Sequence, residues 1–460
     1  MEEQSCDGSE HRKELFSSLI KIRRELRIMK ILKAIGRKKE LRQKVIITLL
    51  LLVLVNALSG VPTPGIRAGA LRAMLRGNSA FGFLSLLNGA GLGNASLTFL
   101  SISPYITASI ILELLTIAIP SLDEMQKDGE VGRKKFKKII FILGIVLAVL
   151  QGGAAAFGMS RQGILVSNAW YWIVCVASCW TLAAIFLQIV GDVWIEKKGT
   201  GKGISLILLC NVLSSYPSDA ASLYEKFIGG KEIGTIVVSL ALIFLLLAAL
   251  FVFTVTMQET EKRFPVQYSA KMAGRVRRDR SCFSFKLWIS SVVPVIFAQS
   301  ILSVPVIIAA FFGKNDIWWI NMMNTAKWFN RAHPSYSVGA ILYVAMIFGF
   351  FFFYGNIVCN PITISDNLKK SGGTLIGVRP GKLTAEYIRK NTRMTIAIGA
   401  AALCLIALIP CILAGIFGLS RLAFASTSII ITVNVLLEMR DWLMAEIQVE
   451  LNYRRLSSLF

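Results

Sequence analysis

Histidine does most acid–base and metal chemistry near neutral pH, and this chain of 460 residues has only two, His11 and His333. Its eight cysteines, Cys6, Cys175, Cys179, Cys210, Cys282, Cys359, Cys404 and Cys411, contain no CxxC pair, and most lie in apolar runs. Such thiols read as small core residues, not as a disulfide framework or a metal set. Gly199-Thr-Gly-Lys-Gly203 looks briefly like a phosphate loop, but it lacks the required glycine–lysine spacing and opens an apolar run. No HExxH and no GxSxG occurs. The expectation is therefore no catalytic residue, no metal and no cofactor, with any work driven by a partner or a gradient. What remains is a small set of polar groups in apolar surroundings. Glu113 is a carboxylate in an otherwise uncharged run, and Gln151, Gln188 and Gln299 are softer polar points. An ionisable group inside a membrane is a functional-site candidate, although Glu113 lies about two turns from Pro120 and also suits an interfacial role. The glutamines suit interhelical hydrogen bonds.

The elements around these groups are apolar to a degree that a soluble fold cannot absorb. Of the residues, 55% are apolar and 17% charged, with a mean hydropathy of +0.62. The chain carries 50 Lys+Arg against 27 Asp+Glu, a formal net charge of +23. Soluble domains run about 25% charged, so the composition specifies a polytopic membrane protein. A spanning helix needs roughly 20 mostly apolar residues. Ten candidate spans fit, near 45–61, 97–119, 139–158, 169–190, 203–217, 234–256, 287–312, 338–358, 394–417 and 422–437. Placed this way, 40 of the 50 basic residues fall on the side that holds both termini, which the positive-inside rule makes cytoplasmic. The fifth span is short, covering about 23 Å at 1.5 Å per residue.

Four segments are not ordinary spans or turns. Residues 1–44 have too many basic residues before the first apolar run to be a signal peptide. Leu15, Leu19, Ile22, Leu26 and Met29 recur at helical spacing among basic residues, which suits a helix on anionic lipid or a solvated leader. Gly77 to Leu112 is 36 residues without charge, interrupted by Leu87-Asn-Gly-Ala-Gly-Leu-Gly-Asn-Ala-Ser96. Irregular backbone cannot face lipid, so the pattern predicts a half-helix near 81–92, a break, and a full helix from about Leu97. A kinked span with an external loop is the plain alternative. The loops Gln258–Lys286 and Asn360–Arg393 are longer than orientation requires, and the first gathers Lys262, Arg263, Lys271, Arg275, Arg277, Arg278 and Arg280. Basic clusters of this kind bind phosphate backbones or acidic protein surfaces.

Together these segments resemble the SecY family, the central subunit of the Sec protein-conducting channel, from about residue 44 to 450. The resemblance rests on Val61-Pro-Thr-Pro-Gly-Ile66, Ile102-Ser-Pro-Tyr-Ile-Thr-Ala-Ser-Ile-Ile111, Lys127-Asp-Gly-Glu-Val-Gly-Arg133, Pro265-Val-Gln-Tyr268 and Pro294-Val-Ile-Phe-Ala298. It rests also on Asn360-Pro-Ile-Thr-Ile-Ser-Asp-Asn-Leu-Lys-Lys-Ser-Gly-Gly373, with Gly377-Val-Arg-Pro-Gly381 and Thr384-Ala-Glu-Tyr387.

The resemblance implies an all-α fold of ten transmembrane helices in two inverted five-helix halves, about 45–217 and 218–440, with a cytoplasmic tail at 441–460. It implies a re-entrant plug near 82–95, containing Gly82, Asn88, Gly89, Gly91, Gly93 and Asn94. A pore ring would be Ile102, Ile106, Ile204, Leu208, Ile296 and Ile431, closing by dewetting. Ser109, Glu113, Gln151, Gln299 and Ser300 would lie near a lateral gate, and Arg263, Arg275 and Arg379 in a docking site for the ribosome and the SecA ATPase. The implied partners are SecE, SecG, SecA, the ribosome, signal sequences and unfolded polypeptides, with anionic lipid around them. The implied location is a bacterial plasma membrane, with a plastid thylakoid second. Glu113, Leu208, Lys202 and Ala425-Ser426 depart from the family's usual residues. The competing readings are an ion-coupled transporter of a small solute, which needs buried polar groups at mid-membrane, and a membrane enzyme, which needs a catalytic set.

Overall fold

The computed structural model describes residues 39–71, 82–167, 169–228, 233–268, 281–288, 292–311, 317–329, 334–379, 381–417 and 423–457. The basic amphipathic segment expected at 15–29, His333 and Arg275 lie outside these. Apolar runs become helices because a backbone away from water must satisfy its own N–H and C=O groups. In chain order they are α1 (Lys39–Leu58), α2 (Gly82–Asn88), α3 (Ala90–Gly93), α4 (Ser103–Ala118), α5 (Pro120–Lys127), α6 (Gly129–Arg161) and α7 (Trp170–Ile189). A π-helical turn at Val190–Ile195 leads to α8 (Glu196–Lys198), α9 (Gly203–Ile228) and α10 (Ile233–Glu259). After strands β1 (Glu261–Tyr268) and β2 (Ser281–Lys286) come α11 (Val293–Phe311), α12 (Trp318–Met323), α13 (Val338–Val358) and α14 (Pro361–Lys370). Strand β3 (Gly373–Leu375), α15 (Lys382–Phe417) and α16 (Ala425–Ser457) complete the chain.

Six described helical segments are long and apolar enough to cross a membrane, or seven if α4 and α5, bent by 111°, count as one broken span. Several boundaries differ from the hydropathy reading. The second span begins at Ser103, not near Leu97, because residues 94–102 take a turn conformation with positive φ at Ala95 and Ser101. Pro104 then occupies the first helical turn, where its missing N–H costs nothing. α6 starts ten residues before its apolar run, α11 starts at Val293 instead of Leu287, and α16 runs on through the expected tail. Hydropathy marks where lipid would end, not where helix ends. The fold is also not purely helical: β1, β2 and β3 form a sheet in the order β2-β1-β3.

The chain divides into two compact units. One comprises Met1–Val55, Ile189–Ile207 and Leu436–Phe460. Within it, Lys44 pairs with Glu446 at 2.8 Å and lies over the Trp442 ring, while Lys202 pairs with Glu438 at 3.1 Å. Thr48 Oγ1 accepts from the Thr200 backbone N–H at 3.2 Å.

The other unit comprises Asn56–Gln188 and Leu208–Val435. Its principal core centres on Trp180, which stacks on Phe99 with ring centroids 4.2 Å apart and donates from Nε1 to Thr63 Oγ1 at 3.0 Å. Ala148, Ala155, Ala156 and Met159 of α6, Ala184 of α7, and Val306, Ala309 and Ala310 of α11 belong to it. Small residues let helices approach closely. A Cβ on Gly152 would stand 2.8 Å from Thr181 Oγ1 of α7. Gly152→Leu is therefore expected to overpack this contact by about 1–3 kcal/mol and lower the unfolding temperature in detergent; an unchanged temperature would contradict the packing.

Candidate functional site: an irregular segment and a polar latch inside an apolar helix array

The segment expected to be interrupted is so, as two short helices and turns. α2 ends at Asn88, the chain turns at Gly89 with φ +65°, and α3 covers four residues before a bend leads toward α4. Only glycine fits at position 89, since a Cβ would meet Ser214 Oγ at 2.4 Å and the Asn211 carbonyl at 2.7 Å, besides the strained φ. At Gly91 a Cβ would stand 2.5 Å from Thr98 Oγ1. The backbone that escapes helical pairing is satisfied by protein. Asn88 donates from Nδ2 to the Phe99 carbonyl at 2.7 Å, and Asn211 of α9 donates to the Leu87 carbonyl at 2.7 Å and to Ser101 Oγ at 2.8 Å. The Thr63 N–H donates to the Ala95 carbonyl at 2.8 Å, and Leu97 N–H to the Val61 carbonyl at 3.0 Å. Both asparagines are buried. Gly93 is half-buried and Asn94 exposed.

Ile102, Leu208, Ile296 and Ile431 are buried, and Ile106 and Ile204 half-buried. Ile102 and Ile106 are joined across one turn of α4 by the Ile106 N–H to Ile102 carbonyl bond of 3.1 Å. Ile106 packs against the cluster of Ile110, Phe297 and Tyr354, where α4, α11 and α13 meet.

Of the polar residues expected at a gate, the structure joins Ser109 and Glu113 by a hydrogen bond and gives Gln299 other partners. Ser109 Oγ donates to Glu113 Oε1 at 3.3 Å, and Tyr354 of α13 donates its hydroxyl to the other carboxylate oxygen of Glu113. Tyr354 is wedged edge-on against Phe297 and Phe353, with centroids 5.4 Å from each. Gln299 turns elsewhere, its Nε2 reaching Ser303 Oγ at 3.4 Å and Thr325 Oγ1 at 3.2 Å. Gln151 and Ser300 are half-buried on α6 and α11. Tyr354 and Asn211 escaped the sequence reading. Tyr354 ends the run Phe350-Phe-Phe-Phe353 and carries the hydroxyl of that stretch, and Asn211 is the amide of the short fifth span; an isolated hydrogen-bonding group in an apolar helix was the available signal.

The described parts of the two long loops form one folded module. β1 pairs antiparallel with β2, placing Phe264 opposite Phe283, and with β3, placing Val266 opposite Leu375. Alternation buries Phe264 and Val266 with Phe285, Cys359, Leu368, Leu375 and Ile388, and turns Arg263 outward. Lys262 Nζ donates to Asn391 Oδ1 at 3.0 Å, tying the sheet to α15. Asn360 caps α14 by accepting from the Ile362 N–H at 3.1 Å. Arg379 is exposed in a turn bounded by Gly377 and Gly381, both at positive φ, and its carbonyl accepts from Thr384 Oγ1 at 2.8 Å. Arg263 makes a loose pair with Glu261 at 3.7 Å, of little energetic weight on an exposed surface.

The SecY family model matches residues 96–440. The Protein translocase subunit SecY of Bacillus subtilis (strain 168) is 33% identical over 432 residues, covering 91% of this chain and 97% of that protein. The chain belongs to the SecY family. SecY of Aquifex aeolicus (strain VF5) is 34% identical over 418 residues, covering 88% and 94%. The solved structure titled "The structure of a protein conducting channel" shares the SecY fold with a TM-score of 0.64 at 16% identity, covering 89% of this chain and 93% of that one. Sec61 in a canine ribosome–channel complex from the endoplasmic reticulum gives a TM-score of 0.60 at 17% identity, covering 89% and 93%.

The Glu113–Tyr354 contact crosses between two helices of this SecY chain in apolar surroundings, so it is measurable as a coupling. In a double-mutant cycle of Glu113→Gln and Tyr354→Phe on unfolding in detergent, the expected coupling is about 0.6–1.7 kcal/mol. Strict additivity would show that the two side chains act independently.

Proposed function

We propose that this chain is the channel-forming subunit of a Sec translocase, conducting unfolded secretory polypeptides across a membrane and releasing apolar helices sideways into lipid. The observation that carries this reading is the irregular, glycine-rich segment held among apolar helices by Asn88 and Asn211 in a SecY-family chain. An anchor has no use for such a segment, whereas a closed conduit needs a removable filling. The alternative of a small-solute transporter calls for convergent polar groups free to bind solute at mid-membrane, whereas the amides at this segment, Asn88 and Asn211, donate to its own carbonyls.

On this reading the chain crosses the membrane ten times, as inverted halves near 45–217 and 218–440, with both termini in the cytoplasm. Residues 82–95 are the plug. Ile102, Ile106, Ile204, Leu208, Ile296 and Ile431 make the ring, an apolar constriction that excludes hydrated ions but accommodates a threaded chain. The gate opens where α4 leaves α11 and α13, breaking the Glu113–Tyr354 latch, with Ser109, Gln151, Gln299 and Ser300 along or near the seam. The sheet module, with Arg263, Arg275 and Arg379, receives the ribosome or SecA, since arginines suit RNA phosphates and acidic protein surfaces alike. A relative solved as a ribosome–channel complex favours the first of these. SecE and SecG are the small membrane partners, and the location is a bacterial plasma membrane.

A photo-crosslinking residue at Ile106 or Ile431 is expected to label a stalled secretory chain. Labelling by small solutes alone, or no labelling by nascent chain, would contradict conduction of polypeptide. Arg379→Glu is expected to lower translocation while the protein itself still inserts normally; equal loss of both would make Arg379 a folding residue.

A further inference from the structure

Four exposed aromatic side chains have no part in conduction. Trp170 and Tyr171 open α7 and are 76% and 56% exposed, while Trp318 and Trp319 open α12 and are 56% and 48% exposed. The residues beside them face inward. Trp172 and Ile173 of α7 and Ile317, Ile320 and Met323 around α12 pack on the same core, the one centred on Trp180. The two aromatic pairs are therefore carried by elements that share one core.

α12 is firmly held. Trp328 donates from Nε1 to the Met322 carbonyl at 2.7 Å, Lys327 Nζ donates to Asn321 Oδ1 at 2.9 Å, and Gln299 of α11 reaches Thr325 at 3.2 Å. Its tryptophans cannot fold back into the core without breaking these bonds. The exposed stripe Ile301, Val304 and Ile308 on α11 recurs at helical spacing on the element that precedes α12, and apolar side chains so displayed on a spanning helix face lipid. The aromatic pairs thus continue a lipid-facing surface. Two exposed cations belong to the same compact unit. Arg67 donates from Nη2 to the carbonyl of Val166, four residues before Trp170, and Arg161 ends α6 with its guanidinium 5.2 Å from the Phe157 ring centroid.

We propose that Trp170, Tyr171, Trp318 and Trp319 form an interfacial foot seated at the headgroup–acyl boundary of the bilayer, with Arg67 and Arg161 taking lipid phosphates. Indole and phenol rings carry a large apolar surface and one hydrogen-bonding group, which matches that boundary and neither water nor hydrocarbon. Arginine presents a planar fork that fits phosphate oxygens. The foot lies on the loops that hold few basic residues, opposite the sheet module's side, so it fixes the depth of the protein independently of docking at the module. This inference goes beyond the channel reading and requires only that the chain is embedded in lipid.

The test uses the full chain in vesicles, comparing native protein with a Trp318→Phe/Trp319→Phe variant that keeps the apolar rings. The fluorescence difference between the two isolates the α12 indoles. Phospholipids brominated near the glycerol end of the acyl chain are expected to quench that difference signal strongly, those brominated near the methyl end weakly, and aqueous iodide weakly. Stronger quenching by iodide than by either lipid would overturn the proposal in favour of a watery surface. Stronger quenching by the deep bromine would place the indoles in hydrocarbon and overturn it too, and protection from all three quenchers would mean that a protein covers the face. Trp170→Phe provides the same readout for α7, and a translocation assay on each variant separates failure of the foot from failure of the channel reading.

Discussion

Backbone amides removed from water must find partners within the protein, and this requirement organises the molecule. Most of the chain meets it by being helical. Residues 82–102 do so only in part, as two short helices with turns around them, and carbonyls at the breaks are taken up by side-chain amides: Phe99 by Asn88, and Leu87 by Asn211. An unpaired buried polar group costs about 1–3 kcal/mol, so each of these bonds holds the segment in place without making it permanent. Gly89, where a Cβ would collide with α9, lets the turn approach closely enough for those bonds to form.

The same economy shapes the helix seam. α4, α11 and α13 meet through Ile106, Ile110, Phe297 and Tyr354, contacts that an apolar segment from another chain could replace at little cost because lipid and leucine are equally apolar. The Glu113–Tyr354 bond is different. Nothing apolar replaces it, so it adds a directional penalty to separation of α4 from α13. The Tyr354 hydroxyl donates to the Glu113 carboxylate. Lys202 pairs with Glu438.

Six of the spans were legible because hydropathy is a local property of sequence. The irregular segment was legible for the same reason: an uncharged stretch rich in glycine and asparagine cannot be a plain helix. The start of α4 was not. Leu97 to Ile102 is apolar enough to be helical, and what keeps it otherwise is pairing with Val61 and Asn88, which no local pattern announces. The sheet module was hidden by the same kind of distance. β1 alternates visibly, with Phe264 and Val266 inward and Arg263 outward, but β3 is three residues long and joins it from more than a hundred residues away. The pairing that joins the two loops into one sheet was therefore not readable from either loop alone.

The central claim is that the segment between α1 and α4 fills a conduit and is retained by buried hydrogen bonds. Ion current through the reconstituted native complex and its Asn211→Ala variant tests it most directly. Removing the amide leaves the Leu87 carbonyl and Ser101 hydroxyl without that donor, and a loss of about 1–3 kcal/mol corresponds to a rise in open fraction of roughly 5- to 150-fold. The account predicts a current increase in that range with the fold intact. A folded variant that passes no more current than the native complex would contradict it.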